Sequence, residues 1–126
     1  MALEHEIAIL GQRMGISGLA LPPSGVLAFD VTGLGRVHFE LATNGRSDGE
    51  MLLYLSRAVP DHDRAAPQRL LELSHYNKTH AFPLSAGLHN GQAILLTRLP
   101  ERQSTAANME NAVSWLARQM DSIIKA

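Results

Sequence analysis

Along the chain the spacing of hydrophobic positions changes repeatedly, and each change marks an element. Leu3, Ile7, Leu10 and Met14 recur at helical spacing, which predicts a helix over about residues 2 to 14 with one apolar stripe. Gly15 is its natural stop, since glycine enters the left-handed conformation without a Cβ penalty. Leu19 and Leu21 lead into Pro22-Pro23-Ser24-Gly25, a cluster that no helix or central strand tolerates. The period then falls to two. Val26 to Val31 reads as a strand, Gly33-Leu34-Gly35 turns the chain, and Val37, Phe39 and Leu41 alternate with His38, Glu40 and Ala42 in a second strand.

Asn44-Gly45-Arg46-Ser47-Asp48-Gly49 makes the next turn, and Met51-Leu52-Leu53-Tyr54-Leu55 forms a strand without alternation, so both its faces need cover. After the loop Val59-Pro60-Asp61-His62-Asp63, Pro67 suits the first turn of a second helix, where its missing N–H is not needed. Leu70, Leu71, Leu73 and Ser74 follow, with an end expected near Asn77 or Lys78. Phe82 to His89 reads as a strand, and Asn90-Gly91 is the strongest hairpin signal, because both residues tolerate the positive φ of a type I′ turn. A fifth strand runs from Gln92 to about Leu99.

With a two-residue turn, Leu88 lies opposite Ala93 and Ala86 opposite Leu95, whereas Ile94 and Leu96 face Gly87 and Ser85 on the other side. Large residues then stand beside small ones, a step able to accept a side chain from this domain, a second subunit or another partner. Pro100 ends the hairpin, and Ser104 or Thr105 caps a closing helix over about residues 105 to 125, striped by Met109, Val113, Leu116, Met120 and Ile123. The order helix-β-β-β-helix-β-β-helix predicts an α+β fold with a twisted antiparallel sheet and helices largely on one face, in a single domain over residues 1–126.

Composition narrows the function classes. No apolar run approaches the ~20 residues of a membrane span, so membrane insertion is not expected. A formal charge of −1, with the basic residues scattered, argues against nucleic acid as a partner. The absence of cysteine removes disulfides and thiolate metal sites and agrees with a reducing compartment. Met1-Ala2-Leu3-Glu4-His5-Glu6 lacks the basic start and apolar stretch of a secretory signal, which points to the cytoplasm.

Candidate chemistry is sparse. The six histidines include no pair one turn apart within a helix, so no metal site is expected, and Asp61-His62-Asp63 reads as a solvated loop. The glycine-rich turns join strand to strand, whereas a phosphate cradle leads from strand to helix. There is no Gly-x-Ser-x-Gly elbow. No catalytic, cofactor-binding or metal-binding residue is assigned, and an enzyme is not expected. What remains is apolar surface. If Leu53, Leu55 and Leu95 point to the core, then Leu52, Tyr54, Ile94 and Leu96 lie on a less covered face, which implies a dimer interface or a partner-binding surface unless the second helix covers it.

One further observation concerns the chain as a whole. Leu10-Gly11-x-x-Met14-Gly15-Ile16, Leu19-x-Leu21-Pro22, a strand ending Phe29-Asp30, and Val37-x-Phe39-Glu40 are followed by Leu52-Leu53-x-Leu55, Val59-Pro60 and Leu70-Leu71-x-Leu73. Asn77, the Asn90-Gly91 hairpin, Leu95-x-x-Arg98-Leu99-Pro100 and the terminal helix complete the series. This pattern resembles the class I type III secretion chaperones, the Tir chaperone family, over nearly the whole chain.

The resemblance implies a cytoplasmic homodimer of a Gram-negative bacterium that works by binding, without ATP hydrolysis or a cofactor. Its partner would be the N-terminal chaperone-binding region of a secreted effector, kept extended, soluble and secretion-competent. The secretion ATPase would be a further docking partner. By the same resemblance the second helix carries the dimer interface through Leu70, Leu71 and Ser74. Leu10, Phe29, Leu52, Tyr54, Ile94 and Leu96 become the effector-binding candidates. The near-neutral charge departs from the acidic balance usual in that family. The competing expectation is a small-molecule-binding domain or an enzyme on a similar scaffold, which a compact pocket with converging polar groups would signal.

Overall fold

The computed structural model describes residues 3–42, 49–75 and 83–124, with residues 74 and 75 as backbone alone. The first helix, α1 (Leu3–Met14), ends as its sequence demands. Gly15 takes φ 74°, the Ile16 N–H donates to the Gly11 carbonyl at 2.8 Å, and the Gly15 N–H donates to the Gln12 carbonyl at 3.3 Å. These two reversed bonds satisfy carbonyls that the helix leaves open. Gly11 has a different reason to be glycine: a Cβ there would stand 2.8 Å from both the Ile16 carbonyl oxygen and Leu19 Cβ.

Five strands form one antiparallel sheet in the order β1-β2-β3-β5-β4. They are β1 (Val26–Val31), β2 (Gly35–Ala42), β3 (Glu50–Ala58), β4 (Ser85–His89) and β5 (Gln92–Pro100). At the β4–β5 hairpin Asn90 has φ 50° and Gly91 φ 74°, and the register is the expected one, with Ser85 opposite Leu96 and Gly87 opposite Ile94. Two boundaries differ from expectation. β3 extends beyond its apolar run through Ser56, Arg57 and Ala58, where pairing with Ile94, Ala93 and Gln92 continues the ladder. β4 begins only at Ser85, because Pro83 has no N–H to give a ladder and its carbonyl accepts instead from the Thr97 hydroxyl. The expected turn at 44–48, the helix end near Asn77 or Lys78, and the strand start at Phe82 lie outside the described residues.

The second helix, α2 (Ala66–His75), begins one residue before Pro67, which therefore occupies the first turn. The third, α3 (Ala106–Ile123), is capped by Thr105, whose hydroxyl oxygen accepts from the Asn108 N–H at 3.1 Å. A second group from far along the chain serves the same helix end. The Glu6 carboxylate accepts from the Ala106 N–H at 2.8 Å, placing negative charge at the positive end of α3.

α3 lies across β3 and β5, and α1 packs on α3. Between them Val37, Phe39, Met51, Leu53, Leu55, Ala93 and Leu95 are each at most 1% exposed, together with Ile7, Leu10, Met109, Leu116 and Met120. α2 packs against β4 and the end of α3 rather than across the middle of the sheet. The Arg69 guanidinium fastens it there, donating to the Ile123 carbonyl and to the Asp63 carboxylate at 2.6 Å.

Candidate functional site

Strand alternation sends every second side chain to the face of the sheet that α1 and α3 leave open. The register aligns these side chains in rows that cross the strands. One row reads Ala28, His38, Tyr54, Leu96, Ser85; beside it run Val26, Glu40, Leu52 and Arg98 on one side, and Asp30, Arg36, Ser56, Ile94 and Gly87 on the other. Large side chains stand on the central strands β3 and β5, and small ones on the outer strands. The result is a raised apolar centre of Leu52, Tyr54, Ile94 and Leu96 that falls away toward Ala28 and toward Ser85. All four central residues are half-buried, unlike their neighbours Leu53, Leu55 and Leu95 on the covered face.

A hollow of ≈ 110 Å³ opens where this relief drops toward β4, lined by Leu52, Leu84, Ser85, Leu96, Thr97 and the adjoining Pro83 and Arg98. It lies at the small-beside-large step that the hairpin register predicts. The polar groups of the face are arranged beside this centre. The Tyr54 hydroxyl donates to the Glu40 carboxylate at 2.7 Å; burial first, and then that hydrogen bond and charge, push the phenol up to about 12. The His38 ring lies 5.9 Å from the Tyr54 ring at a 37° tilt, and burial followed by the Arg36 charge holds its imidazole below the ordinary value.

The expected contact residues do not all belong to this face. Leu52, Tyr54, Ile94 and Leu96 come together on it. Leu10 does not: it is 0% exposed among the core residues, so it has no surface to present. Phe29 points to the helix-covered side, opposite Val37, with its ring edge-on to Phe39 at 5.6 Å and 80°. Both had been expected as contacts because an apolar stripe alone does not say which part of it a neighbouring helix occupies.

The expected dimer residues separate in the same way. Leu70 is 5% exposed and belongs to the core of its own protomer, whereas the adjacent Leu71 is 62% exposed. The Ser74 side chain lies outside the described residues. Leu88 on β4, the strand α2 packs against, is 50% exposed. His38, Glu40 and Leu88 were not singled out from sequence. The alternation of β2 does mark His38 and Glu40 as sharing a face, but the register that sets them beside Tyr54 and Leu52 joins two separate strands, which alternation within one strand does not align.

Elsewhere a concavity of ≈ 510 Å³ is lined by Pro60, His62, Asp63, Arg69, Ser122 and Ile123. Its charged groups are already committed to one another and to the end of α3 through the Arg69 bonds, so they do not converge on empty space. Among the described residues no three His, Asp or Glu side chains cluster as metal ligands would, and no helix is long and apolar enough to cross a membrane.

No protein-family model matches the chain, and no curated protein matches it in sequence. Solved structures share its fold. The Yersinia pestis type III secretion chaperone SycH, in complex with a stable fragment of YscM2, aligns with TM-score 0.69 at 10% identity, over 97% of this chain and 99% of its own. The HopA1–SchA chaperone–effector complex contains a chain that aligns with TM-score 0.67 at 12% identity, over 97% of this chain and 92% of that one. A chain of the ExsC–ExsE complex gives TM-score 0.67 at 18% identity, over 96% and 87%. At these identities the likeness is one of fold, and it spans the whole arrangement of helices and sheet.

Proposed function

We propose that this protein is a type III secretion chaperone, which binds an extended N-terminal segment of a secreted effector and keeps it soluble and secretion-competent without catalysis. The observation that carries this reading is the open sheet face. Leu52, Tyr54, Ile94 and Leu96 form an apolar centre that neither α1 nor α3 covers, and a hollow beside Ser85 has room for one inserted side chain. An extended segment suits such relief, since alternate side chains can enter hollows while its backbone meets the polar rim. The fold shared with a named secretion chaperone and a chaperone–effector complex supports the same conclusion.

The protein acts as a homodimer in this reading, with α2 and β4 supplying the contact. Of the three exposed large apolar residues among those described, Leu71 and Leu88 lie on these two mutually packed elements. Burying both on a second copy would take the two most exposed of these three side chains out of water.

Affinity purification from the native cytoplasm, followed by mass spectrometry and light scattering, tests the whole reading. The expected product is a dimer holding one protease-sensitive effector segment, which Leu96→Asp loses while its circular dichroism and dimer mass are kept. A lone monomer carrying a bound metabolite would replace this reading with that of a small-molecule-binding domain.

A further inference from the structure

Among the described residues one buried side-chain nitrogen or oxygen has no hydrogen-bond partner, and it sits in the open face: Nδ1 of His38. Buried polar atoms are ordinarily satisfied, so an orphan of this kind constrains the ring that carries it. His38 stands in the row between Ala28 and Tyr54, with Asp30 on β1, Arg36 and Glu40 on β2, and Leu52 and Ser56 on β3 as its neighbours. None of these accepts a proton from Nδ1. Glu40 is engaged with the Tyr54 hydroxyl, and Arg36 reaches toward Asp30 at 3.4 Å.

The tautomer follows from this. A proton on Nδ1 would be a buried donor without an acceptor, and an imidazolium would add a charge to the same enclosed position. The ring is therefore neutral with its proton on Nε2, which is not among the buried unpartnered atoms. Burial and the Arg36 guanidinium lower the imidazole in the same direction, with Asp30 opposing. His38 thus presents a fixed N–H donor beside the apolar centre.

We propose that His38 determines which segments the open face accepts, by donating its Nε2–H to a backbone or side-chain oxygen of an extended polypeptide lying over Ala28, Tyr54 and Leu96. A segment that covers this row without placing a backbone or side-chain oxygen within reach would bury the N–H without an acceptor and be disfavoured. Acid acts in the same sense: protonating His38 under a bound segment forces a charge and an N–H without an acceptor, at Nδ1, into the interface. This inference rests on the docking role proposed for the face.

The test uses the full chain and a random-sequence peptide library displayed on phage, selected at pH 7.5; the tightest peptide becomes the probe for calorimetry. His38→Phe, which keeps the ring shape and removes the donor, is expected to weaken the probe by about tenfold, the scale of one hydrogen bond in a desolvated site. His38→Gln, which keeps an N–H donor but does not titrate, restores binding and abolishes the loss of affinity that wild type shows on acidification below pH 6. Imidazole ¹⁵N spectra of the free protein should show the Nε2–H tautomer near neutral pH.

A probe that Leu96→Asp abolishes but His38→Phe leaves unchanged would overturn the role of His38 while keeping the docking face. A probe indifferent to Leu96→Asp would overturn the docking face and this inference with it. If His38→Phe does not fold, the comparison of wild type with His38→Gln across pH decides: an equal acid loss in both rejects the proposal.

Discussion

The two faces of this sheet are built from the same strands, yet they differ in what finishes them. On one, Val37, Phe39, Leu53, Leu55 and Leu95 are sealed by α1 and α3 to within 1% of complete burial. On the other, one residue along each strand, His38, Glu40, Leu52, Tyr54, Ile94 and Leu96 are half-buried by one another. The first face is mostly apolar, although Thr97 is buried on it and Arg57 donates to the Asp121 carboxylate of α3. The second mixes an apolar centre with a tyrosine, a carboxylate and a histidine, a composition typical of surfaces that exchange water for a partner. The difference separates residues that hold the fold from residues free to serve a contact, and it can be broken by substitution.

The largest effect is expected on the sealed face. Leu53→Ala or Leu95→Ala should cost about 2–5 kcal/mol in urea denaturation, because helices packed on both residues cannot fully collapse into the cavity. Leu96→Ala, one position away, should cost about 1 kcal/mol, since water already reaches part of its surface. Equal losses would erase the distinction between the faces. Next comes the proposed subunit contact. Leu71→Asp should weaken association by about 2 kcal/mol, read as a shift toward protomer mass in light scattering at micromolar concentration. An unchanged dimer would remove α2 from the interface.

Leu52→Asp and Leu96→Asp sharpen the comparison from the open side. Each should abolish capture of the proposed effector segment while shifting the urea midpoint by the equivalent of about 1 kcal/mol or less. Unfolding of either variant would show that the face is core.

The smallest effect concerns Tyr54→Phe, which removes the hydrogen bond to Glu40 and should cost about 1 kcal/mol near neutral pH. The pH dependence has a defined sign. The phenol is raised from 10.0 to about 12, so its contribution is complete below pH 10 and lost as pH rises toward 12. For His38 the direction is opposite: its pKa is lowered from 6.5, so its contribution is present above pH 6.5 and lost as acid protonates the ring. Parallel alkaline stability curves for wild type and Tyr54→Phe would show that the Tyr54–Glu40 bond is not the source.

Much of this arrangement was legible in particular residues. Gly15 announced the end of α1, Asn90-Gly91 fixed both the hairpin and its register, and Pro67 marked the first turn of α2. The grouping of Leu52, Tyr54, Ile94 and Leu96 followed from alternation once Leu53 and Leu95 were given to the core. Leu10 and Leu70 are sealed within the protomer, and Phe29 lies half-buried on the helix-covered side, for one shared reason. Each is an apolar residue on an amphipathic element, and periodicity says which side of an element is apolar but not what lies against it.

By itself, then, the amino-acid sequence determined local matters: where elements start and stop, which residues share a side of a strand, and which turn closes the last hairpin. These are set by backbone sterics, capping and period, all of which act within a few residues. Only the tertiary structure decided which side would be sealed. That outcome depends on α3 crossing β3 and β5 and on Glu6 meeting the first turn of α3 a hundred residues away. It also depends on a register that sets His38 against Tyr54 and leaves its Nδ1 enclosed. Such contacts arise from the simultaneous packing of distant segments, whose free energy belongs to the assembled core rather than to any stretch of chain.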